Sequence, residues 1–267
     1  MPDNTIEWGQ GAVNNTNDWG KAKANATNNF GAVYDDSPSG DTNIAGGSPA
    51  PPALAQVNNV YSMEFDPTIA SHIDLGDFTN VLGTTSKFST SLWCNWQGGT
   101  VNRNGMLNFA PAAIGGAGTT FDIRFENTSS IKISIDNSAT RTFTVSPSLS
   151  SDWMHIAFTY DGTLVSGNTF DGVKLYINGA EANTLAALSG INPTINFASM
   201  FGFLGFAQNF SESRKWDGLI DEVGIFNSTL TDAEILSIYN ATAVVDGVNK
   251  TADLSQLTTP PVAWYRM

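Results

Sequence analysis

Several kinds of residue are scarce in this chain of 267 residues, and each scarcity excludes a class of protein. Cys94 is the only cysteine, so no intrachain disulfide can form and the fold must hold without one. Only 14% of the residues are charged, and 12 Lys and Arg stand against 25 Asp and Glu, which leaves a net charge of −13. A chain this acidic is repelled by nucleic-acid phosphates and by anionic lipid surfaces, so we expect neither as a partner.

Long apolar runs are missing as well. No stretch approaches the roughly 18 consecutive apolar residues of a membrane-spanning helix, so we expect no membrane span. The first ten residues, MPDNTIEWGQ, lack the basic and apolar regions of a secretory signal peptide. We therefore expect a protein that acts inside a cell or leaves it by another route, such as assembly into a particle.

The chain is rich in short segments with an apolar period of two. Hydrophobic residues make up 41% and aromatic residues 11% of the chain, which is enough for a sizeable core. Alternation of this kind predicts strands at residues 60–65, 71–76, 88–96, 106–109, 119–125, 131–135, 153–161, 173–177 and 195–205. Asn178-Gly179 is a strong hairpin-turn signal. Because no helices alternate with these strands, the pattern predicts an all-β, antiparallel sandwich or jelly roll.

The segment 216–240, WDGLIDEVGIFNSTLTDAEILSIYN, begins with a further strand. Its period of two predicts one face formed by Leu219, Asp221, Val223 and Ile225, with the intervening residues on the other face. A strand this close to the end of a mostly β chain is expected to belong to the same sandwich.

The second half of this segment predicts one short C-terminal helix. Thr231 and Glu234 have the spacing of a capping box, with Thr231 at the N-cap, and Leu230 and Ile235 have that of a hydrophobic staple. The residues that we expect on its apolar face are Ile235, Leu236, Ile238 and Tyr239. We therefore expect a sandwich that is closed near its end by this helix.

An internal repeat occupies residues 1–34. The units NTIEWGQGAVN, NTNDWGKAKAN and ATNNFGAVYDD are three eleven-residue copies that align Trp8, Trp19 and Phe30. Each copy has one aromatic residue and too much Gly and Asn for a helix, and short repeats that cannot bury a face alone need neighbours. We expect an extended assembly arm whose aromatic residues dock on other subunits. The alternative is a disordered polar tail with chance periodicity.

A Pro- and Gly-rich linker follows the arm at residues 35–56. The sequence thus divides into the arm (1–34), this linker, a sandwich domain (57–242) and a C-terminal extension (243–267).

The blocks FDPTIASHIDLG, FSTSLWCNW, WMHIAFTYDGT and VKLYINGAEANT, followed by the segment 216–240, resemble laminin-G-like, concanavalin A-like jelly-roll domains. This resemblance covers about residues 57–242 and implies a two-sheet sandwich that usually recognises carbohydrate or protein. Separately, the N-terminal repeat and its DSPSGDTNI continuation resemble segments of tail, fibre or spike proteins of aquatic bacteriophages.

The resemblance also implies a calcium site. Related jelly rolls often bind Ca²⁺ through an Asp on the last strand and an Asp in the turn after the first, which correspond here to Asp221 and Asp66. Oxygen ligands of this kind suit Ca²⁺. The sequence departs from the family at Pro67, where Gly is common and where a fixed φ reshapes the loop. In the alternative, Asp221 hydrogen-bonds a neighbouring loop.

Glycan binding needs an aromatic platform with amides or carboxylates around it. Trp96, followed by Gln97-Gly98-Gly99 at a strand end, is the candidate for such a platform, and its alternative role is packing. By the resemblance, Trp93, Trp153 and Trp216 match aromatic core positions.

Catalytic patterns are absent from the sequence. Concanavalin-like glucanases use Glu-x-Asp-x-Glu along a strand, and no such triplet occurs. The neighbours Asp221 and Glu222 are expected to point to opposite faces of a strand, which defeats that geometry. His72, His155 and Cys94 lie inside strand patterns and are expected to be packing residues. The sequence also contains no Walker loop and no dinucleotide fingerprint, so we expect no enzyme.

These observations favour a structural protein on the outer surface of a bacteriophage virion: a spike, fibre or decoration. Its arm is expected to contact other virion proteins, and its jelly roll a host-surface glycan or receptor. A homo-oligomer is expected because closed symmetry is common for identical chains, with a trimer by analogy with phage spikes. The alternative is a secreted bacterial carbohydrate-binding or adhesin module, and a divergent glycoside hydrolase is a third hypothesis.

Overall fold

A computed structural model of the chain describes residues 54–59, 61–68, 72–98, 104–111, 121–135, 139–161, 172–187, 195–206, 214–245 and 248–266. These residues belong to one compact unit, Ala53–Met267. The predicted arm, with Trp8, Trp19 and Phe30, lies outside the described residues, as does most of the linker.

The described residues form an antiparallel sandwich, as the periodicity predicts. In chain order its strands are β1 (Gln56–Asn58), β2 (Met63–Phe65), β3 (Ile73–Asp77), β4 (Thr84–Thr85), β5 (Phe88–Trp96), β6 (Asn104–Pro111), β7 (Phe121–Asn127), β8 (Ser130–Ile135), β9 (Ala139–Thr144), β10 (Trp153–Tyr160), β11 (Val173–Ile177), β12 (Ala180–Glu181), β13 (Thr184–Ala187), β14 (Ile195–Asn196), β15 (Met200–Leu204), β16 (Gly218–Phe226), β17 (Ala243–Val245), β18 (Val248–Ala252) and β19 (Ala263–Tyr265).

Two large sheets make up the sandwich. Sheet one has the strand order β13-β9-β8-β7-β6-β15-β3, and sheet two has the order β12-β11-β10-β5-β16-β19, with β2 also paired to β16. The strands β17, β18 and β1 form a small third sheet, and β14 pairs with β4. Over the residues that the structure describes, the predicted jelly-roll-type fold with one short helix is confirmed.

The core consists of the inward-facing residues of both sheets. Its centre is aromatic: Phe88, Phe109, Phe121, Phe158 and Phe197 have neighbouring ring centroids 4.8–6.1 Å apart, mostly in edge-on or tilted contacts. Such geometries suit the quadrupoles of aromatic rings better than face-to-face stacking. Burial of these large side chains therefore holds the sheets together without a disulfide.

The alternation predicted for the last long strand is right for Val223 and Ile225, which lie together in the core. It is wrong for the residues before them, because β16 contains a β-bulge between Asp221 and Gly224. Glu222 adopts a left-handed backbone with φ 50°. The bulge shifts the pattern, so that Ile220, Val223 and Ile225 are all fully buried in the core. An extra residue in one strand changes the face of every residue after it.

The helix α1 (Asp232–Asn240) begins where the sequence predicts. Thr231 accepts a hydrogen bond from the N–H of Glu234, and the Glu234 carboxylate accepts one from the N–H of Thr231, which completes the capping box. Leu230 and Ile235 are buried in one apolar cluster, as the staple predicts. Leu236 is 40% exposed and is a correction to the predicted face, because about 100° of helix rotation carries it away from Ile235.

Helix α1 covers the outer face of sheet two together with a 3₁₀ helix at Leu254–Gln256. The small sheet lies beside them, and β19 pairs with β16 in sheet two. The segment predicted as an extension after residue 242 therefore contributes a strand to the sandwich. Among the described residues, no helix has both the length and the hydropathy that a membrane crossing requires.

Candidate functional site

A row of polar side chains crosses the outer face of sheet one. Strand β6 alternates between Leu107 and Phe109 in the core and Asn108 on the opposite face. In the ladder Asn108 pairs with Asp122, Asp122 pairs with Ser134, and Phe203 flanks Asn108 on the other side. Side chains that are direct cross-strand partners lie close enough to act on one bound group.

The centre of this row contains polar atoms without partners. Asn108 and Asp122 are both fully buried. Within the part of the chain that the structure describes, Nδ2 and Oδ1 of Asn108 and Oδ2 of Asp122 have no hydrogen-bond partner. Leaving a buried polar group unpaired costs about 1–3 kcal/mol, so such groups call for an explanation in a native fold.

Arg124 lies at the charged end of the row and donates hydrogen bonds to the carboxylates there. Its Nη1 donates to Oδ1 of Asp122 and, at 3.0 Å, to the Ser134 hydroxyl. Its Nε donates to Oε1 of Glu126 at 2.8 Å. Burial raises the pKa of Asp122 to about 6, although the charges of Arg124 and Arg214 act in the opposite direction. The guanidinium thus keeps one oxygen of Asp122 engaged, while the other is shielded from solvent.

An apolar cluster adjoins the polar row on the same face. Ala110, Phe203 and Phe206 are buried together, and Phe201 packs against them half-buried. The ring of His72 meets Phe206 edge-on at a centroid distance of 5.3 Å. The rim of this outer face is partly exposed at Phe201 and at Glu126, whose side chain is 21% exposed. Aromatic carbon therefore lies beside the polar row, and only the rim of this face is exposed.

The two residues predicted to bind calcium are not brought together. The pairing of Phe65 with Gly218 and of Met63 with Ile220 places Asp66 opposite position 217. Asp221 lies four residues further along β16, roughly 13 Å at the rise of a strand. Burial and then the charge of Asp66 raise the pKa of Asp217, in line with the pairing that places these two residues opposite each other.

The carboxylate of Asp221 is occupied by protein donors. Its Oδ2 accepts from Nδ2 of Asn59 at 2.6 Å, and its Oδ1 accepts from the backbone N–H of Glu222 at 2.8 Å. The same Asn59 amide lies 3.4 Å from Oε1 of Glu222, so the predicted opposite orientation of Asp221 and Glu222 is wrong, because the bulge turns both toward Asn59. Over the described residues, no three His, Cys, Asp or Glu side chains group as metal ligands. These residues do not fit a shared calcium site.

The tryptophans differ from their predicted roles in part. Trp216 is fully buried, as the resemblance implies. Trp153 is 41% exposed and Trp93 half-buried, which corrects the expectation that both lie in the core, because both are on the outer face of sheet two. Trp96, the predicted sugar platform, packs half-buried against the core, and its indole Nε1 is shielded from solvent.

Cys94, His155 and His72 are all expected to be packing residues, and the first two are buried whereas His72 is exposed. Cys94 is buried, and burial raises the pKa of its thiol. His155 is fully buried, with Nε2 2.9 Å from the Ser91 hydroxyl, and burial lowers its pKa to about 3. Trp93 and Tyr239 pack against the His155 ring, at centroid distances of 5.2 and 6.1 Å. His72 is exposed at the edge of the apolar cluster.

Sequence reasoning missed the Asn108–Asp122 pair. The alternating sequence of both strands predicts ordinary strands with one buried face and one solvent-exposed face. An Asn and an Asp at polar positions of a strand are normally solvated, and only their pairing across strands shows that they are buried together.

Comparison with known proteins gives one family and several structures. The family model described as the concanavalin A-like lectin/glucanases superfamily, Laminin_G_3, matches residues 67–236. No curated protein sequence matches the chain.

Similar solved structures include a heptameric SAP-like pentraxin from Limulus polyphemus, which is 14% identical over 70% of this chain and 80% of that chain, with a TM-score of 0.47. The CBM40 of a Ruminococcus gnavus IT-sialidase bound to α2,3-sialyllactose is 14% identical over 70% and 99%, with a TM-score of 0.48. Domain 4 of a Geobacillus stearothermophilus GH43 extracellular arabinanase, in complex with arabinotriose, is 20% identical over 68% and 79%, with a TM-score of 0.42. No function is carried over from these structures.

Proposed function

The chain belongs to the concanavalin A-like lectin/glucanase superfamily, and from that membership we propose that its sandwich binds carbohydrate, without cleaving it, on the outer face of sheet one. The observation that carries the proposal is the cross-strand pair Asn108–Asp122, whose three partnerless polar atoms lie beside an aromatic cluster.

The chemistry of the pair suits sugar hydroxyls. A hydroxyl both donates and accepts, the Asn108 amide does the same, and Oδ2 of Asp122 accepts. In the free domain these atoms are shielded from solvent, so a sugar would reach them only where the side chains that cover them move aside. It would then satisfy atoms that are otherwise left unpaired at a cost of about 1–3 kcal/mol each. The C–H face of a sugar ring is apolar and would lie against aromatic carbon such as that of the half-buried Phe201.

The test compares one substitution at two buried asparagines. Asn108→Leu keeps the approximate volume but removes the amide, so it should abolish glycan binding while leaving the free domain equally or more stable, by up to about 1–3 kcal/mol. Asn95→Leu is the matched control on sheet two, because Asn95 donates its amide to the Ser151 carbonyl. It should destabilise the fold without changing affinity.

Binding is measured by isothermal titration calorimetry after a glycan-array screen, and stability by urea unfolding. If Asn108→Leu binds glycan as tightly as the unaltered chain, sheet one is not the binding face. If no array glycan binds the unaltered chain, the proposed function is wrong.

We further propose that this sandwich is displayed on the outer surface of a bacteriophage virion, as a spike, fibre or decoration that contacts host-surface glycan or receptor. What supports this is the resemblance of the repeat in residues 1–34 to phage tail, fibre and spike segments. The competing assignment is a secreted bacterial carbohydrate-binding or adhesin module, which shares the same sandwich. Antibodies against residues 54–266 should label purified phage particles in electron microscopy. Labelling of bacterial cells that carry no phage would favour the competing assignment.

A further inference from the structure

We infer that the C-terminal end of α1, which carries Tyr239, is an acid-sensitive latch on the outer face of sheet two. When His155 beneath it takes up a proton, the Tyr239 ring moves aside and uncovers Trp93, while the sandwich stays folded. This inference concerns sheet two, and it does not depend on the sugar site proposed for sheet one.

Three rings lie against one another where α1 meets sheet two. Trp93 and Tyr239 are stacked, with a centroid distance of 5.9 Å and an angle of 18° between their planes. The imidazole of His155 lies 5.2 Å from the Trp93 ring and 6.1 Å from the Tyr239 ring. His155 is fully buried, whereas Trp93 and Tyr239 are half-buried. The two outer rings therefore shield the imidazole from solvent.

The neighbouring hairpin turn holds the backbone of His155 in place. Oδ1 of Asn178 accepts from the N–H of His155 at 2.9 Å, and the N–H of Asn178 donates to the His155 carbonyl at 2.9 Å. The same turn touches α1, since a Cβ at Gly179 would lie 3.0–3.2 Å from carbons of Tyr239 and Leu236. Because β10 is paired on both sides, the helix end is the part that can move away from the imidazole.

The two ring nitrogens of His155 differ in their surroundings. Nε2 lies 2.9 Å from the Ser91 hydroxyl, which can donate or accept. Nδ1 is shielded from solvent and has no hydrogen-bond partner among the residues that the structure describes. A protonated imidazole carries an N–H at both positions. The Ser91 hydroxyl can accept from one of them, and the other gains an acceptor only when the covering rings admit water.

The charged groups near the imidazole are already paired. From β16, Asp221 is the cross-strand partner of Trp93, and both of its oxygens accept protein hydrogen bonds. From β11, the Tyr176 hydroxyl donates to Asp232, which also lies 3.4 Å from Nζ of Lys174. The uncharged groups that face the ring are Ser91 and Trp93 of β5, Asn178 of the turn and Tyr239 of α1. A proton on this ring thus has no unpaired carboxylate to meet it.

The closed latch therefore excludes a proton that the open latch accepts. Burial lowers the pKa of His155 from 6.5 to about 3 while the ring is covered. Once Tyr239 moves aside and water reaches the ring, the pKa returns toward 6.5. The equilibrium between closed and open forms then shifts toward the open form by roughly 25-fold between pH 7 and pH 5. Ends of helices open more readily than core strands, so this shift acts on the helix end first.

The experiment labels the full chain with hydroxyl radicals at pH 7, 6 and 5 and reads each aromatic residue by mass spectrometry. Labelling of Trp93 and Tyr239 should rise as the pH falls, by up to about 25-fold at pH 5. Two other tryptophans are internal controls. Trp153 on the same face is already 41% exposed and should change little, and the fully buried Trp216 should stay protected because the sandwich is still folded.

His155→Gln tests the role of the histidine, because an amide can bond the Ser91 hydroxyl but does not titrate in this range. Labelling of Trp93 in this variant should be the same at pH 7 and at pH 5. His72→Gln is the matched control, since His72 is the other of the two histidines and is exposed. This control should keep the full response to acid.

A second pair of variants keeps the test independent of how His155→Gln folds. Tyr239→Ala removes the covering ring, so the pKa of His155, measured by NMR titration, should rise toward 6.5. Leu236→Ala is the control on the same helix, because Leu236 is 40% exposed and lies beside Gly179. It should leave the pKa of His155 unchanged.

The inference is overturned if labelling of Trp93 does not rise between pH 7 and pH 5, or if it rises equally in His155→Gln. A simultaneous rise at Trp216 also overturns it, since that outcome means that the whole sandwich unfolds. An unchanged pKa of His155 in Tyr239→Ala has the same consequence, because the helix then does not control access to the imidazole. None of these outcomes bears on sugar binding by sheet one.

Discussion

Trp264 in β19 donates its indole N–H to Oε2 of Glu222 in β16 at 2.7 Å. The other oxygen of Glu222 accepts from the Thr251 hydroxyl at 2.7 Å, and Nε of Arg266 lies 3.7 Å from it. Glu222 is 5% exposed, so this carboxylate is held by residues from the last strands of the chain. The bulge that turns Glu222 out of the regular strand thus fastens the C-terminal segment to sheet two.

Trp264→Phe should destabilise the domain by about 1–3 kcal/mol, because it keeps an aromatic side chain, though a smaller one, and leaves Oε2 of Glu222 buried without the indole donor. Urea unfolding measures the change. Tyr265→Phe is the control, since it removes one hydroxyl that donates to the Leu75 carbonyl at 3.2 Å and is expected to cost less. Equal stability of Trp264→Phe and the unaltered chain would show that the indole N–H contributes nothing.

The capping box and the hydrophobic staple of α1 should each contribute separately to the stability of the domain. Thr231→Ala removes the N-cap and should cost about 0.5–2 kcal/mol. Ile235→Ala empties a fully buried position and should cost about 2–5 kcal/mol. Leu236→Ala, at a 40% exposed position on the same helix, should cost the least in thermal melts. Near-zero effects of the first two would mean that the helix does not stabilise the fold.

His155 should make the domain sensitive to acid. Burial lowers its pKa from 6.5 to about 3, so between these values the unfolded chain binds a proton that the folded chain does not. Stability from this residue is therefore present above pH 6.5 and is lost as the pH falls toward 3, by up to about 1.4 kcal/mol per pH unit.

Asp122 has the opposite effect on stability between its ordinary pKa of 3.8 and its raised value of about 6. In this range the folded chain holds a proton that the unfolded chain has lost, so the contribution of Asp122 to stability falls as the pH rises. Comparison of the unaltered chain with His155→Gln isolates the histidine, since both contain Asp122. Urea unfolding at pH 7, 5.5 and 4.5 should show a smaller loss in acid for His155→Gln. Parallel curves would contradict the assignment.

Chelation of calcium should leave the melting temperature unchanged. Both oxygens of Asp221 already accept protein hydrogen bonds, and Asp66 lies about four residues away along the ladder. The measurement is a thermal melt with EDTA and with added Ca²⁺. A stabilisation by Ca²⁺ that disappears in Asp221→Asn would restore the calcium site that the family resemblance implies.

Residues 1–56, the arm and the linker, are predicted to serve assembly. One aromatic residue per eleven cannot offset an ordering cost of about 1–2 kcal/mol per residue, so the contacts must come from a partner. Deletion of residues 1–53 stops before β1 and should leave the melting temperature unchanged while abolishing oligomers, measured by light scattering, or incorporation into particles.

Deletion of residues 1–58 is the control for that experiment, because it also removes β1, which pairs with β18. This longer deletion should lower the melting temperature. If the deletion of 1–53 prevents folding and the full chain is a stable monomer, the arm belongs to the sandwich itself.

The sequence by itself determined the features that depend on near neighbours. The period of two in segments such as 88–96 and 153–160 predicts strands, since alternate residues of a strand share a face wherever it pairs. Asn178 and Gly179 predict their hairpin because the turn needs positive φ at both positions, and they have φ of 50° and 81°. The capping box of α1 is likewise complete within four residues.

Tertiary structure alone decided the features that depend on which strands meet. The bulge at Glu222 follows from pairing β16 with β5, and the exposure of Trp153 follows from its position on the outer face of sheet two. Asn108 and Asp122 are separated by 13 intervening residues and become partners only when β6 and β7 pair. Contacts of this kind leave no local period in the sequence, because burial and partner choice are set by the whole sandwich and not by the neighbouring residues.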